Sequence, residues 1–332
     1  MSRVKQITIT EAESDQRLDK WFKARFPGVT HGQLEKFLRK GEIRVDKKRA
    51  RSKDRLEAGQ VVRVPPLDDE AMVAKKQGAK QEKDKSRLSE SDVAEIRSMI
   101  LHMDDDVIVL NKPAGIPVQG GSKQVRHIDG LLDGLRFDYA ERPKLTHRLD
   151  KDTSGVLVIG RTRKAAKHLT EAFKRRSTRK IYWALVAGVP RPHQATVSYN
   201  LTKVVTSAGE KVIVDRNGQT AISDYSVVSV AGTKAAWLAL KPLTGRTHQL
   251  RVHCAAIETP IVGDGKYGGS AAFLEGVISK NMHLHAREIT ISHPKGGDLT
   301  VTAPLGQHMA ATWKLLGFHE NDYEDPFEEM GI

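Results

Sequence analysis

The chain has 332 residues, with 54 Lys and Arg against 41 Asp and Glu, a formal charge of +13 and a pI near 9.7. That length can bury a full apolar core and hold two domains, and that charge favours a polyanionic partner over an acidic small molecule. One cysteine, Cys254, excludes a disulfide within the chain, and no apolar run approaches the roughly 20 residues that span a bilayer. Without a signal-peptide pattern, the expectation is a reducing, cytoplasmic location.

Residues 4–10 alternate and predict an edge strand. Segments 16–25 and 31–40 read as short amphipathic helices, the first with Leu18, Trp21 and Phe22 on one face, the second with Thr30 as N-cap and Gly41 as its stop. Residues 42–46, a basic turn through Lys47, Lys48, Arg49 and Arg51, and residues 60–64 closed by Pro65 and Pro66 complete a small module. Residues 17–63 carry 15 basic against 6 acidic side chains. Lys36, Arg39, Lys40, Arg44, Lys47 and Lys48 gather on the second helix and the loop after it, where a phosphate-tracking surface would place them, although a solvated charged face has the same composition. The order Arg-Leu-Asp, helix, Gly-Glu-Ile-Arg-Val-Asp, basic turn, Val-Val-Arg-Val resembles the S4 RNA-binding domain over residues 14–66, which implies RNA docking through those six residues.

Large apolar residues nearly vanish between Asp68 and Arg87, so residues 67–95 read as a flexible charged linker joining domains 1–66 and 96–318. In the second domain, Asp106 to Leu110 predicts a strand, Asn111-Lys112-Pro113-Ala114-Gly115 a turn, and residues 128–137 a short helix. Then comes His147-Arg148-Leu149-Asp150-Lys151-Asp152-Thr153-Ser154-Gly155, a charged loop delivered onto the apolar run Val156 to Gly160. Arg-Leu-Asp-Lys also occurs at Arg17 to Lys20, so the tetrapeptide proves nothing alone; the turn residues after Asp150 separate the two copies. A carboxylate beside a core strand requires a cationic partner, because an unpaired buried charge is costly. A basic amphipathic helix follows at 162–176, then a strand at 180–186, several strands across 195–240, a helix at 248–257, a loop at 263–270, strands at 282–291 and 299–303, and a helix at 306–316. Strands outnumber crossover helices, which predicts an α+β fold with a mixed, mainly antiparallel sheet and flanking helices beside the small α/β module. Residues 319–332 form an acidic tail.

Three motifs in order carry a resemblance to a known family: His147-Arg148-Leu149-Asp150-x-x-Thr153-Ser154-Gly155, Lys180-x-Tyr182-x-Ala184, and Thr244-Gly245-Arg246-Thr247-His248-Gln249-Leu250-Arg251-Val252-His253. Over residues 100–305 the chain resembles the RluA-type RNA pseudouridine synthases, and with an S4-like module in front it is similar to the bacterial members that act on ribosomal RNA. The resemblance implies that the protein isomerises uridines of 23S ribosomal RNA or a large-subunit precursor to pseudouridine, as a monomer and with no cofactor, metal or membrane. It also implies roles. Asp150 is the catalytic carboxylate, by attack at C1′, addition at C6 or removal of a sugar proton; Arg251 is its salt-bridging partner; Tyr182 stacks on the uracil. Arg148 fills the place that a flipped nucleotide vacates, and Leu250 lines the pocket.

Other sites are weaker. His283 and His285 share one face of a strand but have no cysteine pair or H-x-E signature near them, and His248 and His253 are spaced wrongly to chelate from one helix. Asp150 with Asp152 suggests a glycosidase pair only if the two flank a sugar, and Asp152 reads as a turn residue. A silent RNA-binding assembly factor and an RNA N-glycosidase remain open alternatives.

Overall fold

The computed structural model describes residues 4–67, 88–120, 126–175, 178–206 and 209–327, which fall into two compact units, Met1–Arg87 and Leu88–Ile332. Residues 68–87 of the linker expected at 67–95, together with Arg176 at the end of its helix and Glu328 and Glu329 of the acidic tail, lie outside the described residues.

In the first unit, β1 (Lys5–Thr8), β2 (Arg44–Val45), β3 (Lys48–Arg49) and β4 (Val61–Val64) form an antiparallel sheet in the order β1-β4-β2-β3. Helices Leu18–Arg25 and His31–Lys40 bury Leu18, Trp21, Phe22, Leu34 and Leu38 in one core with Ile43, Val62 and Val64. The second helix starts and stops where its sequence signals stand. Thr30 Oγ1 accepts the Gln33 amide at 3.3 Å, the Gln33 side chain returns to the Thr30 amide at 2.8 Å, and Gly41 ends the helix at φ +72°. The basic turn is tighter than expected. Asp46 and Lys47 both have positive φ and make a two-residue hairpin between β2 and β3.

The second unit is built on one sheet of eleven strands. These are β5 (Ile100–Met103), β6 (Val107–Lys112), β7 (Lys144–Leu145), β8 (Ser154–Gly160), β9 (Arg179–Ala187), β10 (Gln194–Thr206), β11 (Gly209–Val214), β12 (Gln219–Ala231), β13 (Ala235–Pro242), β14 (Leu284–Ser292) and β15 (Asp298–Thr302). The order is β11-β10-β12-β13-β9-β14-β8-β6-β5, with β15 on β14 and β7 on β8. Among these pairings only β14 with β8 is parallel, through His285 opposite Ser154 and Ala286 opposite Gly155. The mixed, mainly antiparallel sheet therefore agrees with the sequence reading.

Both faces of the sheet centre are covered, so its strands are apolar on both sides rather than alternating. β8 is buried at all seven positions. On β9, Ile181, Trp183 and Leu185 face a cluster with Trp237, Trp313 and Phe318, while Tyr182, Ala184 and Val186 face the opposite side. Gly155 sits at φ +104°, and a Cβ there would lie 2.2 Å from the Ala286 carbonyl oxygen; only glycine lets β8 close on β14 at this point.

Two boundaries differ from expectation. The second unit begins with a helix, Glu90–Ser98, whose first six residues lie in the segment read as linker; Ser89 caps it, and Ile96 joins Leu131, Leu132 and Leu135 in the core. Its apolar stripe is too thin to register against the charges around it. The acidic tail is folded at least to Phe327, which is buried in the tryptophan cluster. Arg179 pairs with Asp325 and Arg287 with Glu320, so these acids neutralise cations on the sheet instead of repelling a partner. Among the described residues no helix is long and apolar enough to cross a membrane.

Burial lowers the pKa of His147 to about 3 and of His253, His283 and His285 to about 4, so all four are neutral in the fold. The unfolded chain protonates these rings below about pH 6.5 whereas the folded one does not. Stability is therefore fully present above pH 6.5 and falls as pH drops toward 4. Thermal melts between pH 7 and 5 should show the midpoint falling by at least about 5 °C.

Candidate active site

The loop that carries Asp150 ends at the parallel junction of β8 and β14, at the centre of the sheet. It is tied to the turn after β6. Lys112 is fully buried, and its ammonium donates to the carbonyls of Pro113 (2.8 Å), Ile116 (2.8 Å) and Lys151 (3.0 Å). The Gly115 amide also donates to Lys151 O at 2.9 Å. Burial lowers the Lys112 pKa to about 7, against the pull of Asp152 and Asp150. On the far side of the loop, Ser154 Oγ meets His285 Nδ1 at 2.8 Å while His285 Nε2 faces the Ala303 carbonyl at 3.2 Å, an arrangement that makes Ser154 the donor and the ring neutral. His147 accepts the Val158 amide at 2.9 Å and stacks on Phe173 at 4.1 Å, so it braces the loop from behind.

Asp150 lines two adjoining cavities, one of about 590 Å³ and one of about 130 Å³. Arg251 reaches it from helix Gln249–Ala256, with Nη1 at 3.4 Å from Oδ2. The expected pair is present, yet it is the weaker of the two that Arg251 makes. Its Nε and Nη2 form a bidentate fork with Asp264, each at 2.8 Å, and the Asp264 side chain is only 1% exposed. Burial opposes the charge on Arg251, and the Asp264 bonds outweigh it, raising the pKa further. His248 Nε2 stands 3.8 Å from the same Oδ2. Among the described residues nothing donates to Asp150 Oδ1.

Tyr182 and Leu250 line the smaller cavity with Asp150, and Tyr182 bridges the core clusters on either side of it. Burial raises the Tyr182 pKa, with a smaller push from Asp150, so the phenol holds its proton. Arg148 is exposed, lines both cavities and makes no hydrogen bond or ion pair with any described residue. The five residues named from the sequence for this site thus converge. In the first unit, Lys36, Arg39 and Lys40 are exposed on one face of the second helix, Lys40 within 3.6 Å of Glu42, and Lys47 and Lys48 are exposed on the hairpin. Arg44 is half-buried, and its Nε and Nη1 donate to the carbonyls of Gly41 (3.1 Å) and Lys47 (3.2 Å).

Sequence reasoning assigned no role to Lys112, His248, Asp264 or Tyr267, although the first two lie inside stretches it quoted and the other two in the loop it placed at 263–270. Asp264 had no signal of its own: that Arg251 is buried, and so needs a carboxylate as firmly as Asp150 needs a cation, shows only in the fold. Both ring nitrogens of His283 and of His285 face protein partners. His283 is held by the Asn281 carbonyl and Thr312 Oγ1, His285 by Ser154 and Ala303, and no group of three or more candidate ligands occurs among the described residues.

Residues 106–256 match the family described as RNA pseudouridylate synthase, and residues 16–62 match the S4 domain. The chain is 37% identical over 319 residues to the ribosomal large subunit pseudouridine synthase C of Haemophilus influenzae, an alignment covering 95% of this chain and 96% of that protein. It is 34% identical over 315 residues to the protein of the same name from Escherichia coli, covering 92% and 94%. Among solved structures, human RNA pseudouridylate synthase domain containing 4 superposes with a TM-score of 0.57 at 29% identity, over 68% of this chain and 95% of that one.

The lysine clamp can be tested without substrate. Lys112→Met leaves three carbonyls without their donor and should cost about 2–4 kcal/mol in denaturant unfolding. Hydrogen exchange at the Gly115 and Thr153 amides should accelerate more than at β8.

Proposed function

The chain belongs to the RNA pseudouridylate synthase family, and from that premise we propose that Asp150 carries the isomerisation and that the substrate is cytoplasmic large-subunit ribosomal RNA. The reaction breaks the N1 to C1′ bond of a uridine, turns the uracil and joins C5 to C1′; the proton lost from C5 is balanced by one gained at N1. No electrons are exchanged and no energy source is consumed, so one well-placed carboxylate with a pocket that tolerates both orientations of the base is sufficient.

The observation that carries this reading is the single carboxylate at the meeting of two cavities, engaged by protein through Oδ2 alone among the described residues. Oδ1 is left for the substrate. Tyr182 beside it offers a flat apolar ring on which a uracil can stack before and after rotation. A uridine in folded RNA must leave its stack to enter, at a cost of a few kcal/mol, and the unpaired guanidinium of Arg148 at the mouth is suited to occupy the vacated space. Leu250 closes the pocket wall. The S4 domain supplies affinity through phosphate contacts from Lys36, Arg39, Lys40, Lys47 and Lys48, with Arg44 shaping the turn that presents the last two. The names of the relatives support ribosomal large-subunit RNA as the substrate.

Incubation of large-subunit RNA with wild type should yield pseudouridine and no free uracil. Asp150→Asn should lower the yield at least about 1,000-fold while RNA affinity stays within about threefold. Abasic sites with wild type would establish an N-glycosidase, and full yield from the mutant would remove Asp150 from the chemistry. Changing Arg39 and Lys40 together to Ala should weaken RNA binding and reduce the slope of log K against log salt by about 1 to 2, with kcat at saturating RNA unaltered.

A further inference from the structure

His248 has been given no part in the reaction, yet it touches both halves of the site. Its backbone is left-handed, at φ +53° and ψ +20°, a conformation that a residue with a side chain keeps only when its surroundings hold it there. The holding is done by Gln249. Its Oε1 accepts from Thr244 Oγ1 (2.7 Å) and the Arg246 amide (3.0 Å), and its Nε2 donates to the Ile222 carbonyl (2.9 Å) and Ser223 Oγ (2.8 Å), fastening the turn to β12. The twist aims the imidazole so that Nδ1 is 2.6 Å from Tyr267 Oη and Nε2 faces Asp150 Oδ2.

The tautomer follows from the partners. Tyr267 Oη accepts the Val212 amide at 3.1 Å, so its own proton is free to go to His248 Nδ1. A neutral ring that accepts at Nδ1 carries its hydrogen on Nε2, and Nε2 looks at the carboxylate.

We propose that His248 is a positioning residue for Asp150: a neutral Nε2–H donor, its tautomer set by Tyr267, that shares Oδ2 with Arg251 and so presents Oδ1 to the nucleotide. This rests on the reading that Asp150 carries the chemistry. The present 3.8 Å is longer than a hydrogen bond and Arg251 at 3.4 Å is at the limit of one, a looseness that substrate binding takes up. A neutral second donor orients the carboxylate without adding a second full positive charge beside it. Burial, the largest influence on the ring, lowers its pKa and keeps it neutral against the pull of Asp150.

A purely conformational role makes the opposite prediction. His248→Asn tolerates the left-handed backbone well but ends short of Asp150; His248→Gln tolerates it less well yet carries an N–H at about the reach of Nε2. Tyr267→Phe removes the tautomer control and leaves residue 248 intact. Each protein is assayed for kcat of pseudouridine formation and for RNA affinity, with thermal melts to confirm folding. Asn should lower kcat about 30-fold with affinity within about threefold, Gln should recover about tenfold over Asn, and Tyr267→Phe should lower kcat about tenfold. Asn at the wild-type rate with Gln impaired overturns the inference in favour of a backbone role, and three unimpaired variants overturn it outright. A wild type that makes no pseudouridine sinks the parent reading, and this one with it.

Discussion

Arg251 is buried in a helix of the second unit, and the way its charge is satisfied governs the site. A guanidinium removed from water must find a carboxylate with matching geometry, and Asp264 provides that match through two parallel bonds. Because Nε and Nη2 are committed there, Nη1 is left with a fixed direction, and that direction is Asp150. A strong pair thereby orients a weak one. Were Arg251 bound bidentately to Asp150 instead, both carboxylate oxygens would carry a charged donor and neither would face a sugar or a base without one.

The rest of the site keeps Asp150 in place without touching the carboxylate. Lys112 gathers three carbonyls beneath the loop, Ser154 and His285 anchor its end, and Gly155 lets β8 approach β14 where no Cβ would fit. The Lys112 and Ser154–His285 contacts are polar and buried, and each is matched donor to acceptor, which is what makes such a network rigid instead of costly. Mixing one parallel pairing into an antiparallel sheet serves the same end: β8 and β14 run side by side there, and the loops at their leading ends emerge together.

Neutral histidine recurs as a structural part. His147 accepts the Val158 amide and stacks on Phe173, His283 lies between the Asn281 carbonyl and the Thr312 hydroxyl, and His285 lies between the Ser154 hydroxyl and the Ala303 carbonyl, each in surroundings that suppress protonation. His248 differs in sitting at the cavity wall, with a left-handed backbone beside the Gln249 network. Imidazole suits these places because one ring nitrogen can donate while the other accepts, so a single side chain links two elements.

The sequence by itself determined the mixed α+β architecture and the helices of the first unit with their caps, which are legible because local chemistry carries them: alternation, a capping threonine and a stopping glycine. That Asp150, Tyr182, Arg148, Leu250 and Arg251 belong to one site was implied by the family resemblance their motifs carry. Tertiary structure alone decided the rest. That Arg251 answers first to Asp264, that Lys112 is turned inward, that Arg44 bonds to the Gly41 and Lys47 carbonyls, that Glu90–Ser98 packs as a helix and that Asp325 pairs with Arg179 all depend on which groups meet in the fold. A charged side chain has the same letter whether it faces water or a buried partner. Only the arrangement of the elements around it says which desolvation cost it must offset and with whom.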